Sequence, residues 1–156
     1  MAAMLSTPLF AQSPNADLRL RFEHETNPVR KARLMPALAD AEFAEIRKDV
    51  EAEEFDAALA LLRTYRDQME SCIKALDSSK INAEKNPSGF KQLQISLQSS
   101  LRRVDMLLPA MTSDVQAQFL DVRKDLDEMN RHLIDELFPR PPEASSKPDK
   151  SGNESH

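Results

Sequence analysis

Apolar residues that recur every three or four positions constrain this chain more than any other feature. The clearest run extends over residues 113–137. Because an α-helix has about 3.6 residues per turn, this spacing places the apolar side chains on one helical face. They are Val115, Phe119, Val122, Leu126, Met129, Leu133 and Leu137. The pattern predicts a helix that Phe138 and Pro139 end, and Ser113 with Gln116 has the spacing of a capping box at its start.

The scarcity of glycine disfavours a β-sheet fold. The 156 residues include only Gly89 and Gly152, whereas tight β-hairpin turns depend on Gly or Asn at positive φ. Apolar residues make up 40% of the chain and aromatic residues 5%, a balance that suits helices packed through Leu, Met, Ile and Val. This length has room for one domain. We therefore predict a single all-α domain.

A second periodic segment, 88–108, precedes the first one closely. Its predicted buried face consists of Phe90, Leu93, Leu97, Leu101, Val104 and Leu108. Pro109 should end this helix, and the connection to the helix at 113–137 is short. Short connections make consecutive helices antiparallel neighbours, so the two segments are predicted to form a hairpin.

The first half of the chain predicts another hairpin. One helix should cover about 28–53, with Asn27 as its N-cap and a proline at the first helical position, and the other about 56–77. Pro36 should kink the earlier helix or divide it in two. Residues 16–25 are predicted as a further short helix, and 77–87 as a loop between the halves. The expected architecture is a bundle of four to five amphipathic helices in two antiparallel hairpins.

The two ends of the sequence differ from its middle. Residues 1–13 begin with an uncharged, mostly apolar run that resembles the later part of a signal peptide, with cleavage after Ala11. Residues 14–138 form the predicted helical domain, and 139–156, rich in Pro, Ser and charge, a disordered tail. No run approaches the roughly 20 apolar residues that a transmembrane helix needs. We expect export to the periplasm or beyond.

The sequence carries no motif for catalysis, for a cofactor or for a metal ion. There is no nucleophile elbow, phosphate-binding glycine loop or Cys-x-x-Cys pair. His132 shares a helical face with Glu128 and Glu136, which favours a stripe of exposed ion pairs over a ligand set. His24 has no second histidine at zinc-site spacing, and Cys72 lies among apolar residues as a core side chain would. The net charge of −5 disfavours nucleic acid as a partner.

Charge is segregated between two of the predicted helices. Eight acidic residues lie in 40–56, whereas 85–103 contains none and exposes Gln and Ser. In one interpretation the two helices lie side by side and offset each other. In the other, the face with Lys91, Gln94, Gln98 and Arg102 docks an acidic or carboxylate-bearing partner.

Two stretches resemble known helical proteins. The segment AEEFDAALALLRTYRDQM resembles the second helix of a tetratricopeptide repeat, with Phe55, Ala58 and Leu62 at its aromatic, small and large apolar positions. The preceding helix departs from that pattern at Ile46 and Asp49, and no copy recurs about 34 residues away. The blocks NPVRKARL and NPSGFKQLQISLQSSLRR are similar to uncharacterised exported helical proteins of bacteria. The first resemblance implies a helical hairpin, and the second implies no known activity.

These features favour a non-enzymatic interaction or structural protein of the bacterial envelope. A protein partner would bind to the surface of helix 88–108 or to a tetratricopeptide-like groove near residues 43–66. One alternative is a small-molecule or metal-sensing bundle that uses His24, His132 and nearby carboxylates. Another is self-association through the 115–137 seam as a coiled coil.

Overall fold

The fold is entirely helical over the residues that the structure describes. The computed structural model describes residues 14–142, and these contain no β-strand. The α-helices are α1 (Pro14–His24), α2 (Pro28–Glu51), α3 (Phe55–Ser78), α4 (Ser88–Leu107) and α5 (Ser113–Leu137), and a short 3₁₀ helix (Leu108–Ala110) lies between the last two. The all-α prediction is confirmed, including the short first helix.

The four long helices form two antiparallel hairpins that lie side by side. Within each hairpin α2 packs on α3 and α4 on α5, and between them α2 contacts α4 and α3 contacts α5. Arg66 pairs with Asp125 at 3.1 Å and Asp77 approaches His132 at 3.0 Å. Because both residue numbers rise together along these contacts, α3 and α5 run parallel. The same holds for α2 and α4, whose N-terminal ends meet where Arg33 donates to Ser88 at 3.4 Å.

Helix α1 folds back antiparallel over α2. Near its start, Asn15 donates to Glu45 at 2.9 Å, and one turn later Arg19 reaches Glu45 at 3.0 Å. At its other end Phe22 is buried, with the Lys31 ammonium 4.7 Å from the centre of its ring. Helix α1 therefore covers the side of α2 that carries these groups.

The predicted apolar faces meet in one core. Phe119, Leu126 and Leu133 of α5 are fully buried, and each such side chain contributes about 1.5–3 kcal/mol relative to exposure. Across the core, the rings of Phe43 and Tyr65 pack edge to face at 5.2 Å. Since the chain's own helices cover the 115–137 seam, a coiled coil between copies through that seam would require the bundle to open.

The predicted start of α2 is confirmed in atomic detail. The Asn27 side chain accepts the backbone N–H of Arg30 at 3.0 Å, and Pro28 is the first helical residue. The helix continues through Pro36 without division. It ends at Glu51 instead of residue 53, because the chain turns at Glu53 with a φ of +59°.

The predicted capping box at the start of α5 is wrong. Thr112 is the N-cap and makes no side-chain cap hydrogen bond. The Gln116 amide instead donates to the carbonyl oxygens of Leu108 and Met111, at 2.8 and 3.2 Å. Gln116 thus adds a side-chain donor to two carbonyl oxygens at the end of the 3₁₀ helix, and fixes the turn between α4 and α5.

The connection between the hairpins covers residues 79–87, close to the predicted loop. Ala83 is buried within it, and Asn82 accepts the backbone N–H of Lys85 at 3.0 Å. The predicted signal segment, 1–13, lies outside the described residues, as does all but the first four residues of the predicted tail. Among the helices of the described range, none combines the length and apolarity that crossing a membrane requires.

Candidate functional site

The outward surface where α2 and α4 run parallel carries two hollows, and we call this surface the α2/α4 face. The first hollow has a volume of about 160 Å³ and includes Pro36, Ala39, Gln92, Ile95 and Ser99 in its lining. The second is about 510 Å³ and is lined mainly by Phe43, Ala44, Val50, Met106, Leu107 and Ala110. The second hollow is the larger of the two and lies toward the C-terminal ends of both helices.

An ion pair divides the two hollows. Arg103 of α4 pairs with Asp40 of α2, and both residues border both hollows. The Arg103 guanidinium also lies 5.5 Å from the centre of the Phe43 ring, within the range of a cation–π contact. At the far rim Arg47 pairs with Glu51 at 2.9 Å. The positive charges of Arg103 and Arg47 are therefore balanced by carboxylates of the same face.

The predicted partner surface on α4 is only partly on the outside. Lys91, Gln98 and Arg102 are exposed on one side of the helix. Gln94 is half-buried and turned toward α5, where its amide donates to the Asn130 side chain at 3.3 Å. Gln94 therefore helps to hold α4 against α5, while the other three remain available to a partner.

The structure also bears on the two interpretations of the segregated charge. Helices α2 and α4 do lie side by side, but among the described residues the ion pair of Arg103 with Asp40 is the one that joins them. The acidic groups of Glu42 and Glu45 are matched by Arg19 of α1 instead. Within residues 14–142, neither Lys91 nor Arg102 forms an ion pair. Side-by-side packing thus leaves two cations on α4 uncompensated.

Two of the serines expected on the surface of α4 are in fact part of the core. Ser96 and Ser100 are buried beside the Tyr65 hydroxyl, which lies 2.6 Å from the Ser100 oxygen and 3.5 Å from that of Ser96. Burial raises the pKa of Tyr65 above its ordinary value. The expectation that this stretch exposes its serines is therefore wrong for Ser96 and Ser100, because both hydroxyl groups lie beside the hydroxyl of a buried tyrosine.

Two exposed apolar residues on α4 escaped the sequence analysis. The exposed fraction is 59% for Ile95 and 73% for Met106. At about 100° per residue they fall within an arc of about 80° that also holds the three exposed polar residues. We call this set the α4 outer stripe: Lys91, Ile95, Gln98, Arg102 and Met106. A signal was present, since neither Ile95 nor Met106 fits the apolar seam that the spacing assigns to the core.

The groove expected near residues 43–66 is placed differently by the structure. Phe43 and Val50 of α2 do border a hollow, but its opposite wall is residues 103–110 of α4. Helix α3 contributes no lining residue to either hollow, and Tyr65 is fully buried. The concave surface therefore lies between the first helices of the two hairpins.

The histidines of the metal-sensing alternative lie apart in the fold. His132 Nε2 is 3.0 Å from the Asp77 carboxylate, at an open groove between α3 and α5, whereas His24 is exposed at the end of α1. In the described range, no three His, Cys, Asp or Glu residues are arranged to hold a metal ion. Cys72 is buried, as predicted, and burial raises its pKa to about 12.

The chain was also compared with known proteins. No protein-family model, curated protein or solved structure matches it.

Proposed function

We propose that this chain is a non-enzymatic interaction protein that binds a protein partner through the α2/α4 face. The observation that carries the proposal is the pair of exposed apolar side chains, Ile95 and Met106, each at the edge of a hollow on the same face. Apolar side chains beside concave, partly apolar surface are typical of sites where another chain docks.

The position of these side chains on the helix supports the same function. The core of α4 is complete without them, since Leu93, Leu97 and Val104 are fully buried. Isolated exposed apolar residues are common on any protein. Here two of them share one stripe with two cations that form no ion pair within residues 14–142, so the stripe combines an apolar contact with charge that selects a partner.

We place this function in the bacterial envelope. The support comes from the apolar run in residues 1–11 and from the likeness of two helical blocks to exported bacterial proteins. Mass analysis of the chain purified from cells that produce it natively tests the placement. Cleavage after Ala11 is the expected result, and an intact N-terminus on the mature protein would contradict it.

Site-specific photo-crosslinking in native cells tests the binding function. A photoreactive amino acid at position 95 or at position 106 should give the same discrete adduct, because both side chains border one face. The matched control is position 20, since Leu20 of α1 is 44% exposed. On a helical projection of α2, the residues that contact α1 lie nearly opposite those that line the hollows. Adducts absent at 95 and 106, or equally present at 20, would refute the proposal.

A further inference from the structure

We infer that the partner presents an acidic amphipathic helix, which lies along the α4 outer stripe and inserts apolar side chains into the two hollows. This inference rests on the proposed function and adds the chemistry of the partner. It is carried by the spacing of the stripe, by the hollows beside it and by its unpaired charge.

The apolar anchors on the stripe are regularly spaced. Ile95 and Met106 are eleven residues apart, which is three helical turns or about 16 Å. Each borders a different hollow, and the ion pair of Asp40 with Arg103 lies between the hollows. A partner helix that runs alongside α4 can therefore place two apolar side chains, also about three turns apart, on either side of that ion pair.

The charges on the stripe have the same spacing as the anchors. Lys91 and Arg102 are also eleven residues apart, and each lies four residues before an apolar anchor. Neither makes an ion pair with any residue in 14–142, although the chain as a whole has a net charge of −5. A partner whose carboxylates lie one turn from its apolar side chains would match both cations.

A second copy of this chain is a poorer occupant of the same surface. In a two-fold dimer through the stripe, the Lys91 and Arg102 side chains of both copies would lie in one interface. Like charges would then meet without an acidic residue of the stripe to separate them. An anionic membrane could attract the cations, but a flat surface would leave the hollows unfilled.

The test is selection from a displayed library of random peptides of about 18 residues, five helical turns, against the whole chain. We expect enriched peptides to be acidic and amphipathic, with apolar residues ten to twelve positions apart. Against a Lys91→Glu/Arg102→Glu variant, the selected peptides should bind roughly tenfold more weakly. If lysine in place of acidic residues of the peptide restores binding to this variant, charge pairing is the cause of the loss.

The Ile95→Glu/Met106→Glu variant separates failure of this inference from failure of the proposed function, with Leu20→Glu as the matched control. If the enriched peptides are basic or neutral and fail to bind this variant, the acidic partner helix is wrong but the α2/α4 face remains the binding site. If the enriched peptides bind the variant as well as the wild type, or if no peptide is enriched, both the acidic partner helix and the proposed function are wrong. A wild-type dimer that becomes monomeric in the variant would replace the acidic helix with a second copy. Stripe-dependent binding to vesicles of phosphatidylcholine and phosphatidylglycerol, without peptide binding, would replace it with a membrane.

Discussion

We expect replacement of Glu42 by glutamine to stabilise the fold at neutral pH. The Glu42 side chain has no solvent exposure, and Arg19 reaches only one of its oxygens, at 3.5 Å. The other oxygen, Oε2, is buried without a hydrogen-bond partner in the described structure, as is the Oε1 of Gln68. Burial is the largest influence on the carboxyl group and raises its pKa, and the nearby Gln68 and Arg19 side chains offset this effect only in part.

The size of the expected stabilisation follows from the interactions that Glu42→Gln removes and from those that it supplies. Glutamine has the shape of glutamate but no charge to desolvate, and its N–H groups offer the donor that Gln68 lacks. A buried polar atom without a partner costs about 1–3 kcal/mol. The lost contact with Arg19 is worth less, about 0.2–1 kcal/mol, since that side chain is about a third exposed and keeps its pair with Glu45. The free energy of unfolding should therefore rise by about 1–2 kcal/mol.

The pH dependence tests the cause of this effect. Because the pKa of Glu42 is higher in the folded than in the unfolded chain, its penalty is absent below the unfolded value, about 4.3. The penalty grows as pH rises through that value and is complete above the folded one. Urea unfolding should thus show a smaller difference between Glu42→Gln and wild type at pH 4 than at pH 7.

Glu45→Gln is the matched control for Glu42→Gln. The pKa of Glu45 is lowered, chiefly by the hydrogen bond from Asn15, with further help from Arg19, so its stabilising effect is present at neutral pH and is lost as pH falls. Since Glu45 is partly exposed, Glu45→Gln should lower stability at pH 7 by less than about 1 kcal/mol. A loss of stability in both variants at pH 7 would show that the buried carboxylate is favourable, and would refute the reasoning.

Three further substitutions or reagents probe the local interactions. Tyr65→Phe should lower the free energy of unfolding by about 1–2 kcal/mol in urea titrations, because the buried Ser100 oxygen loses the Tyr65 hydroxyl and keeps only its hydrogen bond to the Ser96 carbonyl oxygen. Asn27→Ala should cost about 1 kcal/mol by the same measurement, since the backbone N–H of Arg30 loses its cap, and Asn27→Ser should restore most of it. The Cys72 thiol, with its pKa raised to about 12, should react with a thiol reagent at neutral pH no faster than the fold opens, and rapid labelling of the native chain would contradict its burial.

The elements that the sequence predicted well are those fixed by neighbours along the chain. The period of the 113–137 segment, the cap at Asn27 and the stop at Pro109 are all local signals, and the helices begin or end within a few residues of them. The predicted capping box at Ser113 is wrong because the Gln116 side chain bonds elsewhere. Its amide donates to two carbonyl oxygens of the preceding turn. These bonds depend on how α4 ends and on the direction in which α5 begins.

The arrangement of the hairpins, and with it the candidate site, could not be predicted in the same way. Neither hollow exists within one helix, since each needs α2 and α4 to be parallel neighbours. The charge pattern offers side-by-side packing as one interpretation, but Glu42 and Glu45 pair with Arg19 of α1 and not with a cation of α4. Packing between distant segments decides such pairings, and helical periodicity alone carries no information about them.

Some polar residues of α4 are explained by contacts with other helices, and others belong to the α4 outer stripe. Gln94, Ser96 and Ser100 are explained by packing, because each bonds a side chain of another helix. Nothing in the packing explains an isoleucine that is 59% exposed at position 95. A β-branched residue also weakens a solvated helix relative to Glu or Lys, so neither helix stability nor hydration favours it there. Contact with another molecule would favour Ile95 at this position, and the binding that we propose for the α2/α4 face supplies such a contact.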